Sequence, residues 1–148
     1  MMIYILTRIF AAGLLGLLIG LSFKTDKKIP TGRVFFMICM GSALVTIISI
    51  EFSTSLSIPW VSDPGRISAQ VVSALGFLVS GLIWINKDHQ TEGLSVAAGL
   101  WVTAILGILI GAGYFLISFL VSIFLAIIQR AAEGNKMNAK RNTTDKES

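Results

Sequence analysis

The sequence has little charge and almost no cysteine or histidine. Charged residues make up 14% of its 148 residues, while 54% are hydrophobic. A typical soluble domain has about 25% charged residues. Mean hydropathy is +0.80, and a soluble domain of this size cannot cover so much apolar surface. The composition therefore disfavours a water-soluble enzyme, a nucleic-acid-binding module and a disordered chain, and it indicates a helical protein that crosses a membrane several times.

The scarcity of reactive side chains narrows the chemistry. One cysteine, Cys39, and one histidine, His89, rule out an internal disulfide and a metal site built from several such ligands. No phosphate-binding glycine loop or nucleophile–base pair is present. We expect no enzyme activity, no cofactor and no metal. The net charge of +4 does not indicate nucleic acid, because the basic residues lie between apolar runs and near the C-terminus.

The apolar runs predict an all-α transmembrane bundle of about five spans. The last run has 35 residues and would form a helix of roughly 50 Å, which is too long for one bilayer crossing. Gly111-Ala112-Gly113 divides it into two. The predicted spans are Ile3–Phe23, Val34–Ile50, Ile67–Ile85 and the two halves of Leu94–Ile128. Residues 1–128 form the predicted membrane domain, and residues 129–148 form a basic tail that we expect to be disordered.

The basic residues predict an orientation. When the connector at 24–33 is placed in the cytosol, ten of the twelve Lys and Arg residues lie on the cytosolic side. Only Arg8 and Arg66 lie toward the outside. The positive-inside rule therefore favours five spans over four, with the N-terminus outside and the C-terminus in the cytosol.

Five polar residues are predicted to meet at the outer ends of three helices. Asp63, Arg66 and Gln70 share one helix face, because they are spaced i, i+3, i+7. Glu51 ends the preceding span on the same side, and Arg8 lies about two turns into the first span. Ionisable residues near hydrocarbon are candidates for function. In the structural alternative, Asp63 caps its helix, the arginines reach lipid headgroups, and Gln70 links two helices.

Small residues recur at four-residue spacing on several spans, which predicts close contacts between helices. We favour packing within the bundle over a homodimer seam, because such stripes are common in any membrane bundle. The residues predicted to lie at these contacts are Gly16, Gly20, Gly76, Gly81, Gly99, Thr103, Gly107 and Gly111.

Residues 63–72 read DPGRISAQVV, residues 76–81 read GFLVSG, and residues 93–104 read GLSVAAGLWVTA. These ordered motifs resemble those of the MgtC/SapB family of bacterial inner-membrane proteins. Residues 63–72 are similar to its D-P-x-R-[IV]-x-A-Q-[IV]-[IV] signature, and residues 76–81 to its G-F-L-x-x-G. Residues 93–104 are similar to its G-L-[TS]-x-A-A-x-x-W-x-[TS]-A segment. The resemblance covers about residues 5–128, and longer family members continue into a soluble C-terminal domain. It departs after Gly20-Leu21, where Ser22-Phe23-Lys24 replaces the usual Glu-Arg pair.

The resemblance implies a multi-pass protein of the bacterial inner membrane that is linked to magnesium homeostasis, virulence and stress adaptation. It implies a small regulatory protein that binds another membrane complex, with the ATP synthase as one candidate partner. The alternative is a cation permease or transport-accessory subunit related to magnesium, with Glu51 and Asp63 at its mouth. The arginines in the same cluster weaken this alternative, because their charges cancel those of the acids.

Overall fold

The computed structural model describes residues 2–23, 31–55, 63, 65–87 and 89–144, with side chains described as far as residue 131. Within these residues, five helices and one small hairpin make up the fold. The elements are α1 (Met2–Ser22), α2 (Thr31–Ser55), α3 (Gly65–Ser80), β1 (Trp84–Ile85), β2 (Thr91–Glu92), α4 (Leu94–Gly111) and α5 (Phe115–Thr144). The all-α bundle predicted from the composition is therefore confirmed.

Three helices, α1, α2 and α4, form the centre of the bundle. The most extensive helix contacts join α1 to α2 and α2 to α4. Their buried residues are mostly small, the larger ones are mainly Ile and Leu, and Phe35, Cys39 and Ala43 on α2 are fully enclosed. The rings of Phe23 and Phe35 lie 4.9 Å apart, in a tilted arrangement that aromatic pairs favour. Among the described residues, these three helices are also the only ones long and apolar enough to cross a membrane.

The two remaining helices pack at the edge of the bundle. α3 buries only Leu75 and Val79, and it contacts α4 and α2. α5 contacts α4 and α1. Both are shorter as apolar segments, covering Gly65–Ser80 and Phe115–Ala131. The count of five spans and the orientation of the chain stay predictions.

The division of the last apolar run at Gly111-Ala112-Gly113 is confirmed. Gly113 has a φ of +98°, a conformation that glycine adopts without strain. The amide of Tyr114 donates to the carbonyl of Leu109 at 2.8 Å, and the amide of Gly113 donates to that of Ile110 at 2.9 Å. This pair of bonds is a Schellman motif, which satisfies the last carbonyls of α4 and turns the chain into α5.

The predicted third span, Ile67–Ile85, is corrected by the structure. α3 ends at Ser80, and Trp84–Ile85 pairs in an antiparallel hairpin with Thr91–Glu92. Hydrogen bonds within the intervening loop close the hairpin. The amide of Asn86 donates to the carbonyl of Gln90, and the Asn86 side chain accepts from the Gln90 amide, each at 3.0 Å. These polar bonds compete with continuation of the helix.

The tail also differs from expectation. The backbone of α5 continues as helix to Thr144, whereas disorder was expected from Gln129 onward. Charged and polar residues with good helix propensity follow the apolar part, so the helix has no local reason to stop at its last apolar turn. Most of the basic connector, and the chain from 56 to 62, lie outside the described residues.

Candidate functional site

Arg8 is held against the C-terminus of α4. Its Nη1 donates to the carbonyl oxygen of Gly111 at 3.1 Å, across 103 positions of sequence. The guanidinium carbon also lies 4.9 Å from the ring centroid of Tyr4, one helical turn earlier. A cation at a helix C-terminus is stabilised by the helix dipole, and the aromatic face adds a cation–π contact. Arg8 therefore joins the start of α1 to the α4–α5 turn.

Arg8 shares a cavity with Glu51. This cavity, which we call the Arg8–Glu51 cavity, has a volume of about 330 Å³ and is lined by Tyr4, Ile5, Arg8, Ile47, Ile50 and Glu51. No ion pair between the two charged groups is found in the part of the chain that the structure describes. In the same part, the Nε of Arg8 is buried and makes no hydrogen bond. Within the described residues, the Arg8 guanidinium and the Glu51 carboxylate are therefore not bonded to each other, and both groups can form further hydrogen bonds.

Asp63 caps the beginning of α3. Its Oδ1 accepts from the amide of Gly65 at 2.8 Å, and its carbonyl accepts from the amide of Arg66 at 3.2 Å. An acidic side chain at this position satisfies an otherwise free amide of the first turn. Among the described residues no salt bridge joins Asp63 to Arg66, and both are exposed. Of the two interpretations of Asp63, a helix cap or a member of a charge cluster, the helix cap is the one for which the structure shows a hydrogen bond.

The five residues of the predicted cluster thus separate into two groups. Arg8 and Glu51 line one cavity between α1 and α2, whereas Asp63, Arg66 and Gln70 are exposed on α3. Leu75 and Val79 lie on the opposite face of α3 and are buried in the bundle. Since successive helical residues are 100° apart, Arg66 and Gln70 point away from the other helices. The expected convergence of all five residues is therefore corrected.

The eight residues predicted to lie at helix contacts also separate into two groups, those that contact a neighbouring helix and those that do not. A Cβ at Gly16 would lie 2.6 Å from the Phe35 carbonyl oxygen, and one at Gly111 would lie 2.6 Å from that of Ala43. A Cβ at Gly107 would overlap the Cys39 carbonyl oxygen. Gly20 meets Gly32 and Phe35 on α2, Gly99 meets the ring of Phe23, and Thr103 is fully buried. Six of the eight predicted contact residues are therefore packed against other parts of the bundle, and at four of them, Gly16, Gly20, Gly107 and Gly111, the nearest atoms include the backbone of another helix.

Gly76 and Gly81 are corrections to that prediction. A Cβ at Gly76 would have no heavy atom of the described residues within 4 Å, and one at Gly81, just past the end of α3, would meet only the carbonyl oxygen of Leu78 among them, at 3.5 Å. Gly76 is rotated by one residue from the buried Leu75, which places it at the edge of the packed face. Gly76 and Ser80 have the same four-residue spacing as the contacting glycines, so spacing alone does not distinguish Gly76 from them.

Two features of the site were missed from the sequence. Tyr4 belongs to the Arg8 site, and its spacing of four residues from an arginine was the available signal. The contact of Gly113 with Arg8 has no local signal, because a Cβ there would lie 3.1 Å from Nη2 of a side chain far away in sequence. At the other end of the bundle, Glu92 accepts from the Asn86 side chain at 3.1 Å. Among the described residues, no three His, Cys, Asp or Glu side chains come together as a metal site would require.

Comparison of the sequence with known proteins identifies the family to which the chain is similar. Residues 9–135 match the sequence model of the MgtC family. The chain is 37% identical over 112 residues to the Escherichia coli K12 protein named Putative magnesium transporter YhiD, covering 74% of this chain and 52% of that one. It is 32% identical over 126 residues to Protein SapB of Bacillus subtilis, covering 83% and 54%.

Protein MgtC of Salmonella typhimurium LT2 is 37% identical over 112 residues, covering 76% of this chain and 45% of that one. The chain therefore spans about half the length of the curated relatives it matches. No solved structure shows a significant match.

Proposed function

The chain belongs to the MgtC family, and from this premise we propose that it is a small regulatory protein of the inner membrane that binds a membrane partner complex and responds to magnesium limitation. Its place as a multi-pass inner-membrane protein follows from the family and from the apolar helices. The magnesium connection rests on relatives of which the chain covers about half. We also propose that it carries out no chemical reaction itself.

The outward face of α3 carries this proposal. Arg66, Gln70 and Ser73 are exposed, and Phe77 on the same face has 86% of its surface uncovered. These positions follow the i, i+4, i+7, i+11 pattern of one helix face. Polar side chains on a membrane helix are costly when they face lipid, and they usually bond to a neighbouring helix. A partner helix against this face would supply that neighbour.

Gly76, which lies between the packed face of α3 and this outward face, also supports a partner beside α3. Glycine lets two helix backbones approach closely in a membrane, yet no atom of the described residues approaches Gly76. The glycines of α1 and α4 make such contacts within the chain. A helix of a partner protein packed beside Gly76 would make the equivalent contact between chains. The ATP synthase, which the family resemblance brings forward, is the first partner to test.

Co-purification from cells grown in low magnesium tests the proposal. Gly76→Leu should remove the partner, because leucine would fill the space that a partner helix needs. Gly41→Leu on α2 is the matched control, since a Cβ at Gly41 also meets nothing within 4 Å. Both variants should fold. If the two variants retain the same proteins as the wild type, and both support growth in low magnesium, the α3 face is not a partner surface.

A magnesium permease is the second candidate, favoured by the name of the Escherichia coli relative and by the carboxylate of Glu51 in a cavity. Magnesium binds through carboxylates while keeping most of its water. The Arg8 guanidinium lines the same cavity and opposes a divalent cation there. Flux into proteoliposomes that contain only this protein separates the two functions. Magnesium entry that Glu51→Gln abolishes would establish the permease and overturn the regulatory proposal.

A further inference from the structure

α1 and α5 leave an open apolar groove between them. The groove has a volume of about 730 Å³, and its lining is almost entirely hydrocarbon. Leu18 on α1 and Phe119 on α5 both line it and keep more than half of their surface uncovered. Ile110 of α4, which is buried, also lines it. The space between the two helices is therefore open to the surrounding membrane.

The groove occupies one half of the membrane thickness. Its lining on α1 extends from Ala11 to Ser22, which is the C-terminal half of the helix Met2–Ser22. On α5 the lining extends from Phe115 to Ala126. Either interval is about 16 Å long at 1.5 Å per residue, and the hydrocarbon of one leaflet is about 15 Å thick. One end of the groove therefore lies near the bilayer midplane, and the other lies at the membrane face where α1 ends.

Arg130 continues the groove face of α5 at the membrane-face end. It follows Ala126 by four residues and Phe119 by eleven, and both of these residues line the groove. Residues at these spacings share one helix face. The Arg130 side chain is exposed and makes no hydrogen bond or ion pair within the described residues. A positive charge without a partner in that part of the chain is therefore present one turn beyond the last lining residue of α5.

We propose that the α1–α5 groove binds one anionic phospholipid of the leaflet in which α1 ends. One acyl chain lies along the groove with its methyl end toward the midplane, and the phosphate accepts hydrogen bonds from the Arg130 guanidinium. Arginine can donate two parallel hydrogen bonds to a phosphate. Its charge favours an anionic headgroup over a zwitterionic one, because it repels the ammonium group of the latter. This inference does not depend on the function proposed above.

The charge of Arg130 also argues for a lipid over a second copy of the chain. In a two-fold dimer that closes over the groove, both copies would bring Arg130 to the same interface, and like charges there oppose association. An anionic headgroup brings the opposite charge to Arg130. The placement of basic residues predicts that this end of α1 faces the cytosol, and anionic lipids of the cytosolic leaflet are attracted by basic residues at that membrane face.

Native mass spectrometry of the full chain, delipidated in detergent, measures the binding directly. The probes are palmitoyl-oleoyl phosphatidylglycerol and the corresponding phosphatidylcholine, which has the same acyl chains and a phosphodiester but no net charge. We expect one phosphatidylglycerol to bind per chain before any other lipid, about tenfold more tightly than phosphatidylcholine. Equal binding of the two lipids would overturn the proposal.

Two arginines provide matched variants for the headgroup. Arg130→Gln should lower the affinity for phosphatidylglycerol about tenfold, to that of phosphatidylcholine. Arg33→Gln is the control that should leave the preference unchanged, because no described residue of α2 lines the groove. Arg33 is exposed at the same membrane face, since the neighbouring Gly32 meets Gly20 near the end of α1. Neither arginine side chain bonds to a described residue, so both variants should fold. An equal loss of phosphatidylglycerol in both variants would show that the headgroup is not at Arg130.

The acyl chain has its own pair of variants on α5. Ala126→Phe should fill the groove and weaken both lipids, whereas Ile128→Phe should weaken neither. Ile128 is exposed, and it lies about 200° around the helix from Ala126 at 100° per residue. Equal lipid binding by these two variants would overturn the position of the acyl chain. A chain that is dimeric without lipid, and whose dimer only Ala126→Phe disrupts, would assign the groove to a second copy instead.

Discussion

Glycine, phenylalanine and arginine occur both in the three central helices and in the edge helix α3, but their surroundings differ. Gly16 and Gly20 on α1, and Gly107 and Gly111 on α4, lie where backbones meet, and Phe35 on α2 is fully enclosed. On α3, Gly76 meets open space and Phe77 is 86% exposed. Arginine differs in the same way, since Arg8 is bonded to Gly111 whereas Arg66 is exposed. The comparison teaches that in a membrane helix the neighbouring helix, more than residue type, decides what a residue contributes.

The largest expected contrast is between two phenylalanines. Phe35→Ala should destabilise the bundle by about 3 kcal/mol, the lower end of the usual range for such a cavity, because surrounding lipid is as apolar as the core. Phe77→Ala should leave the stability within ~0.5 kcal/mol. Denaturant unfolding in mixed micelles measures both. A similar cost for the two variants would show that α3 packs more deeply than the structure has it.

The arginine pair is next in size. Arg8→Ala should cost about 1.5–3 kcal/mol, because a charge-assisted hydrogen bond to Gly111 is lost and the α4–α5 turn loses its cation. Arg66→Ala should change the free energy of unfolding by less than ~0.5 kcal/mol. Arg8→Lys is the control that keeps the charge and loses the planar fork, so it should be intermediate. A loss for Arg66→Ala as large as for Arg8→Ala would contradict the exposed position of Arg66.

The glycine pair should give effects of opposite sign. Gly107→Ala places a methyl group against the Cys39 carbonyl, and this overpacking should cost about 1–3 kcal/mol. Gly76→Ala adds a methyl group in open space and should stabilise α3 by about 0.5–1 kcal/mol through helix propensity. Thermal unfolding of the purified variants measures both changes. Destabilisation by both would mean that Gly76 has a neighbour within the chain.

The smallest expected effect is at the cap of α3. Asp63→Ala should cost about 1 kcal/mol, while Asp63→Asn should cost almost nothing, because an asparagine side chain keeps the capping oxygen. The double variant Asp63→Ala with Arg66→Ala should show costs that add within about 0.5 kcal/mol. Chemical unfolding of the wild type, the two single alanine variants and the double variant gives the double-mutant cycle. A coupling well above that value would show that Asp63 and Arg66 act as a pair.

Local sequence was sufficient for the elements that depend on local chemistry. The Asp63 start of α3 and the break at Gly111-Ala112-Gly113 both follow from capping and turn preferences of the residues themselves. The hairpin at Trp84–Glu92 was missed, since its apolar first strand continues the apolar run of α3. Its closing bonds come from Asn86 and Gln90, which lie in a loop too short to show a strand pattern.

The sequence by itself determined that this is a helical membrane protein of the MgtC family, because hydropathy, charge placement and ordered motifs are properties of the chain. Only the tertiary structure decided that Arg8 meets Gly111 and shares a cavity with Glu51, while Arg66 is exposed and a Cβ at Gly76 would meet no atom of the described residues. A helix such as α4 is apolar on all sides, so its sequence contains no amphipathic pattern that marks the buried face. Close packing between helices selects that face, and this selection depends on every neighbour at once.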